Sequence, residues 1–93
     1  MKKLLKLMQT LSAGDDAGAK ELRTFVDVFF TEKEREMLVE RLQIFEELAR
    51  GATQREVAAK IGCSVVTVMR GAKAYRQYQA VIDRWLGALR TSK

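Results

Sequence analysis

Residues 53–71, TQREVAAKIGCSVVTVMRG, read as two short helices joined by a tight turn. Thr53 and Glu56 stand in the T-x-x-E arrangement, in which hydroxyl and carboxylate each satisfy the other residue's free backbone N–H, so a helix starts there. Val57, Ala58 and Ile61 give that helix one apolar face, and Gly62 can take the left-handed conformation that ends it. Ser64 then caps a second helix, on which Val65, Val68, Ala72 and Tyr75 share one side at steps of three and four. Its other side carries Val66, Thr67, Met69, Arg70 and Lys73, a face with no evident core to join. Helix, glycine-bearing turn, helix is the layout of the DNA-reading helix-turn-helix, whose second helix enters the major groove. An ordinary helical hairpin in a small bundle is the competing reading. The spacing of Gln54, Val57, Ala58, Ile61, Gly62, Val65 and Val68 disfavours it, because small residues fall where helices cross and apolar ones where they lock.

The rest of the chain supports an all-α domain. Its 93 residues make one domain, near the size at which a solitary core is thin and a partner subunit often completes it. Nearly half the residues are apolar, proline is absent, and the apolar positions repeat with helical period. The longest apolar runs are a few residues, too short for a membrane span. Lys6 and Gln9 interrupt the only stretch resembling a signal peptide, so a cytoplasmic address is expected. Cys63 is the single cysteine, expected to be an unremarkable turn thiol, and there is no histidine. That composition removes disulfide frameworks, the usual zinc sites and Cys–His or Ser–His catalysis, so no metal, no cofactor and no enzyme is expected. The net charge of +5 is unevenly placed: residues 1–50 hold nine basic and ten acidic side chains, residues 51–93 eight and two. Positive charge travelling with the two-helix unit favours a polyanion partner.

Upstream, Leu4, Leu7, Met8 and Leu11 make a first amphipathic helix, too short to stand alone in water. Residues 12–18, with Gly14, Asp15, Asp16 and Gly18, read as a loop. A second helix over residues 19–30 carries Leu22, Phe25, Val26 and Phe29 on one face, widened by Val28 and Phe30, and is expected to be buried on more than one side. Thr31 with Glu34 is another capping box and opens the longest helix, residues 32–50, closed by Gly51. Met37, Leu38, Leu42, Ile44, Phe45, Leu48 and Ala49 form its apolar stripe, and Arg41 lands inside it. A guanidinium there must find an anion, an aromatic face or a route to water: it snorkels, pairs with Asp27 or a partner's carboxylate, or stacks on a ring. Tyr78, Ile82, Trp85 and Leu89 mark a last amphipathic helix, with Trp85 a core or dimer anchor and residues 90–93 fraying.

With Arg41 and Arg70-Gly71 in view, the sequence resembles the Trp repressor family over roughly residues 25–89. The resemblance rests on TEKERE at 31–36, Arg41, EELARG at 46–51, TQRE at 53–56, TVMRG at 67–71 and RWL at 84–86. It implies a six-helix subunit intertwined with a second copy, residues 1–52 and 77–93 forming the dimerisation core and 53–76 the reading head. The Trp repressor is itself among the proteins in which the helix-turn-helix docking geometry is defined, so that geometry comes with the resemblance. It further implies that L-tryptophan or a related aromatic amino acid binds between core and head and holds the paired heads at the spacing of successive major grooves. By matching position, Arg41 and Arg70 would sandwich the ring, with Arg70 also pairing the carboxylate, and Gly71 would leave room for it. Backbone carbonyls near Val28 and Thr31 would take the ammonium.

Two ligand positions depart from the family pattern: Ala74 replaces a serine that contacts the ammonium, and Phe45 replaces a smaller branched aliphatic at the floor. One lost hydrogen bond to a charged group is worth roughly 1.5 to 3 kcal/mol. For DNA, Gln54 and Arg55 match positions that meet phosphate and a guanine edge, and Ser64, Val65, Val66 and Thr67 match the start of the reading helix. Met69 and Lys73 complete its outer face; Ala58 and Met69 replace a family lysine and threonine. The expected function is a homodimeric DNA-binding transcriptional repressor activated by an aromatic amino acid. A relative with a different or no effector is the alternative, and a protein-binding helical adaptor a third reading.

Overall fold

The computed structural model of the chain describes residues 1–11 and 16–91. Among them lie six helices and no strand: α1 Lys2–Leu11, α2 Asp16–Phe29, α3 Glu32–Ala49, α4 Gln54–Ile61, α5 Val65–Gln77 and α6 Gln79–Thr91. They fall in two compact units, Met1–Met37 and Leu38–Lys93.

In the first unit α1 packs on α2. Phe25 is buried, and its ring stacks on Phe29 at a centroid distance of 4.4 Å. Thr31 and Glu34 close the expected capping box, Thr31 N–H donating to Glu34 Oε1 at 2.8 Å and Glu34 N–H to Thr31 Oγ1 at 3.1 Å. Arg35 ties the end of α2 to the start of α3, donating to the Phe30 carbonyl at 2.7 Å and lying 3.8 Å from the Asp27 carboxylate. Asp27 thus pairs with Arg35 and, at 3.9 Å, with Arg23. Two expectations change. Asp16 and Gly18 belong to α2, not to a loop. The rest of that expected loop, residues 12–15, lies outside the described residues. Nor is α2 buried on several sides, since Val28 and Phe29 are exposed on the single chain.

The second unit is built around Ile44, Val57 and Val68, one from each of α3, α4 and α5 and each fully buried. Ala58 joins them, and Leu48, Ala52, Ile61 and Cys63 pack round the edge. Burial of each large aliphatic side chain contributes about 1.5 to 3 kcal/mol, so three helices are held by a few residues. α5 passes to α6 through Tyr78, whose N–H still donates to Ala74 while its carbonyl accepts from Ile82. Ile82 and Leu86 bury the inner side of α6, and Thr91 remains helical. Residues 92–93, the tip of the expected frayed end, lie outside the described residues. Of the expected α3 stripe Ile44 is buried, whereas Met37, Leu38 and Leu42 are exposed on the single chain, as are Tyr78, Trp85 and Leu89 of the last helix region. Among the described residues no helix is long and apolar enough to cross a membrane.

Candidate nucleic-acid interface

Each joint of the two-helix unit is fixed locally. Thr53 is extended (φ −73°, ψ 161°), its N–H donates to Glu56 Oε1 at 2.8 Å, and Glu56 N–H returns a bond to Thr53 Oγ1 at 3.2 Å. The Thr53 backbone N–H, followed by its hydroxyl, holds the Glu56 carboxyl below its usual pKa. Gly62 adopts the left-handed conformation (φ 81°, ψ 31°) and its N–H closes α4 on the Ala58 carbonyl at 2.9 Å. Ser64 caps α5, accepting from Thr67 N–H at 3.1 Å, and its hydroxyl meets that of Thr67 at 2.9 Å. Cys63 is half-buried in the turn; burial first, then the Glu40 carboxylate, pushes its thiol pKa up, so it stays protonated and poorly nucleophilic at neutral pH.

On α5 the inner side carries buried Val68, Gly71 and Ala72, and the outer side carries exposed Val66, Met69, Arg70 and Lys73. Val65, expected to share the inner side, is 42% exposed at the first position of α5. Gln54 and Thr67 are half-buried, and Arg55 and Ser64 are exposed. Gln54, Val66, Met69, Arg70, Lys73 and Arg76 line one groove of about 310 Å³. Arg76 was not singled out from the sequence, although its step of three from Lys73, itself three from Arg70, was the available signal. Among the described residues Arg55, Arg70, Lys73 and Arg76 form no ion pair, while Lys60 of α4 does. Its Nζ lies 2.8 Å from Glu47 Oε1 and Arg50 lies 2.7 Å from Glu47 Oε2, so a largely buried carboxylate on α3 fastens α4. The hydrogen bond from Lys60, and then the charges of Lys60 and Arg50, hold the Glu47 carboxyl below its usual pKa against the opposing effect of burial.

The expected ligand residues divide between the units. Val28 and Thr31 lie in the first, both exposed; Arg41, Phe45, Arg70, Gly71 and Ala74 lie in the second. There α3 crosses α5 at Gly71. A Cβ placed on Gly71 would stand 2.8 Å from Ile44 Cγ2 and 3.7 Å from Arg41 Cδ. The glycine therefore lets the two helices touch, and the space over it belongs to Ile44. Arg41 is half-buried, its stem lies on that crossing, and none of its nitrogens is buried without a partner. No ion pair engages it among the described residues. Arg70 lines the outer groove, whose walls do not include Arg41. Phe45 stacks on Tyr75 at 6.2 Å, and the Tyr75 hydroxyl donates to Asp83 Oδ1 at 2.6 Å, which raises the Tyr75 pKa.

The glycine turn between α4 and α5, with unpaired cations on the far side of α5, places the chain in the helix-turn-helix class of DNA-binding proteins. Likeness to known proteins gives the family. The family described as "Trp repressor protein" matches residues 2–90. Proteins named "Trp operon repressor homolog" from Xylella fastidiosa strains M23, Temecula1 and 9a5c are each 33% identical over 70 residues, 74% of this chain and 71% of theirs. The chain belongs to the Trp repressor family, and its function is the regulation of transcription through DNA. No solved structure matches it significantly.

Proposed function

We propose that the protein is a homodimeric transcriptional repressor of the cytoplasm whose affinity for duplex operator DNA is raised by an aromatic amino acid, L-tryptophan in the first instance. Residues 53–76 act as the reading head, and residues 1–52 and 77–93 as the dimerisation core. Gln54, Arg55, Ser64, Val65, Val66, Thr67, Met69 and Lys73 face DNA, with Arg55 best suited to a guanine edge. The single observation that carries the effector reading is Arg41: its stem lies against the Ile44–Gly71 crossing, one residue from Arg70, and its guanidinium reaches water. A delocalised planar cation in that position suits a flat aromatic guest better than an isolated ammonium would. Arg70 supplies the second cation, and the carbonyls near Val28 and Thr31 take the ammonium, as the family resemblance implies.

Calorimetric titration of aromatic amino acids into the purified protein tests this reading. Binding heat is expected with L-tryptophan, and Arg41→Ala and Arg70→Ala each abolish it. A second reading has its own observation: Phe45 already stacks on Tyr75, and Ala74 offers no hydroxyl. A regulator with a different effector, or none, follows from that arrangement. Intact DNA binding without heat from any aromatic amino acid selects it.

A further inference from the structure

The groove on the outer face of α5 has a chemistry that phosphate binding alone does not use. Its walls combine three cations, Arg70, Lys73 and Arg76, with two exposed apolar side chains, Val66 and Met69, and the Gln54 amide from the first residue of α4. Among the described residues no carboxylate lines it, so it repels cationic ligands and attracts a polyanion. Val66 and Met69 are each more than half exposed, so an occupant of the groove meets two apolar side chains beside the cations. In the major groove one base edge offers an apolar group to match: thymine carries a C5 methyl, and its partner adenine presents an N6 donor beside an N7 acceptor, the pattern a carboxamide matches.

We propose that this groove seats the major-groove edge of an A·T pair, with Val66 and Met69 gripping the thymine methyl, Gln54 reading adenine, and Lys73 and Arg76 holding the flanking phosphates. The proposal rests on the DNA-binding reading above and deepens it by naming the base pair. It assigns base specificity to apolar contact at two residues, and it makes Met69 a specificity-determining side chain.

The test compares the full-length protein, with and without L-tryptophan, on an alternating dA-dT duplex and on the same duplex with every dT replaced by dU, by fluorescence anisotropy. Loss of one gripped methyl is expected to weaken binding about fourfold per reading head, hence about fifteenfold for the proposed dimer. Val66→Ser and Met69→Ser, both at exposed positions and checked for helicity by circular dichroism, are expected to narrow the difference between the two duplexes while leaving the salt dependence unchanged. Gln54→Ala is expected to reduce the preference for dA-dT over dG-dC. Equal affinity of the wild type for the dT and dU duplexes, with steep salt dependence retained, overturns the proposal and leaves the DNA-binding reading standing. So does discrimination that survives undiminished in both serine variants. Absence of binding to any duplex at low salt overturns both.

Discussion

Gly71 and Arg41 show how one contact can carry two demands. With Ile44 Cγ2 at 2.8 Å from the position of a Cβ, and Ile44 itself fully buried, a methyl at residue 71 has nowhere to go. Gly71→Ala should therefore destabilise the protein by about 1 to 3 kcal/mol in urea unfolding, the usual range for overpacking. Ile44→Ala should rescue part of that loss, giving a non-additive double-mutant cycle; full additivity would mean that the two residues do not meet. Arg41 follows a different logic, because its stem packs while its head is solvated. Arg41→Lys keeps the charge and most of the stem but loses the planar guanidinium. The heat of aromatic amino acid binding should fall strongly in Arg41→Lys while unfolding stability changes little, a split that a merely structural arginine would not produce.

At the scale of the elements, the head is assembled from local devices and one long-range fastening. Thr53→Ala removes the cap of α4 and should cost about 1 kcal/mol of stability; unfolding midpoints measure it. Glu47 is the long-range part, reaching from α3 to Lys60 at the end of α4. Its pKa is lower folded than unfolded, so its stabilising contribution is complete above the ordinary carboxylate value of 4.5 and is lost as pH falls below that value through the folded one. The acid limb of a stability-versus-pH curve should accordingly be shallower in Glu47→Gln than in the wild type. Identical limbs would show that the Lys60 contact adds nothing in solution. The capping threonines were legible in the sequence because T-x-x-E is a local signature. The Glu47–Lys60 contact was not, since thirteen residues separate the partners and nothing in spacing brings them together.

For the whole molecule, charge and exposed apolar surface set the expectations. Affinity for duplex DNA should fall steeply and log-linearly with salt, as Arg55, Lys73 and Arg76, which form no ion pair among the described residues, release counterions. Arg55→Ala should relax base preference more than it lowers nonspecific affinity; flat salt dependence would favour a protein-binding adaptor instead. Met37, Leu38, Leu42, Trp85 and Leu89 are exposed on the single chain. The proposed second copy would cover such residues and make stability depend on protein concentration. Thermal midpoints should rise with concentration in the wild type and cease to do so in a Trp85→Glu variant.

By itself the sequence determined the helical class, the limits of α3, the capped turn of residues 53–71 and the outer face of α5, because each is written in neighbours three or four positions apart. Helical period also placed Val28, Phe29 and Met37 on apolar faces, but period says only that a face is oily, not that the same chain covers it. Tertiary structure alone decided that Ile44 occupies the space above Gly71, that Phe45 leans on Tyr75 and that Glu47 fastens α4. The physical reason is common to all three. Contacts between helices depend on crossing angle and axial offset, which arise from the packing of many side chains at once and leave no repeat in the linear chain.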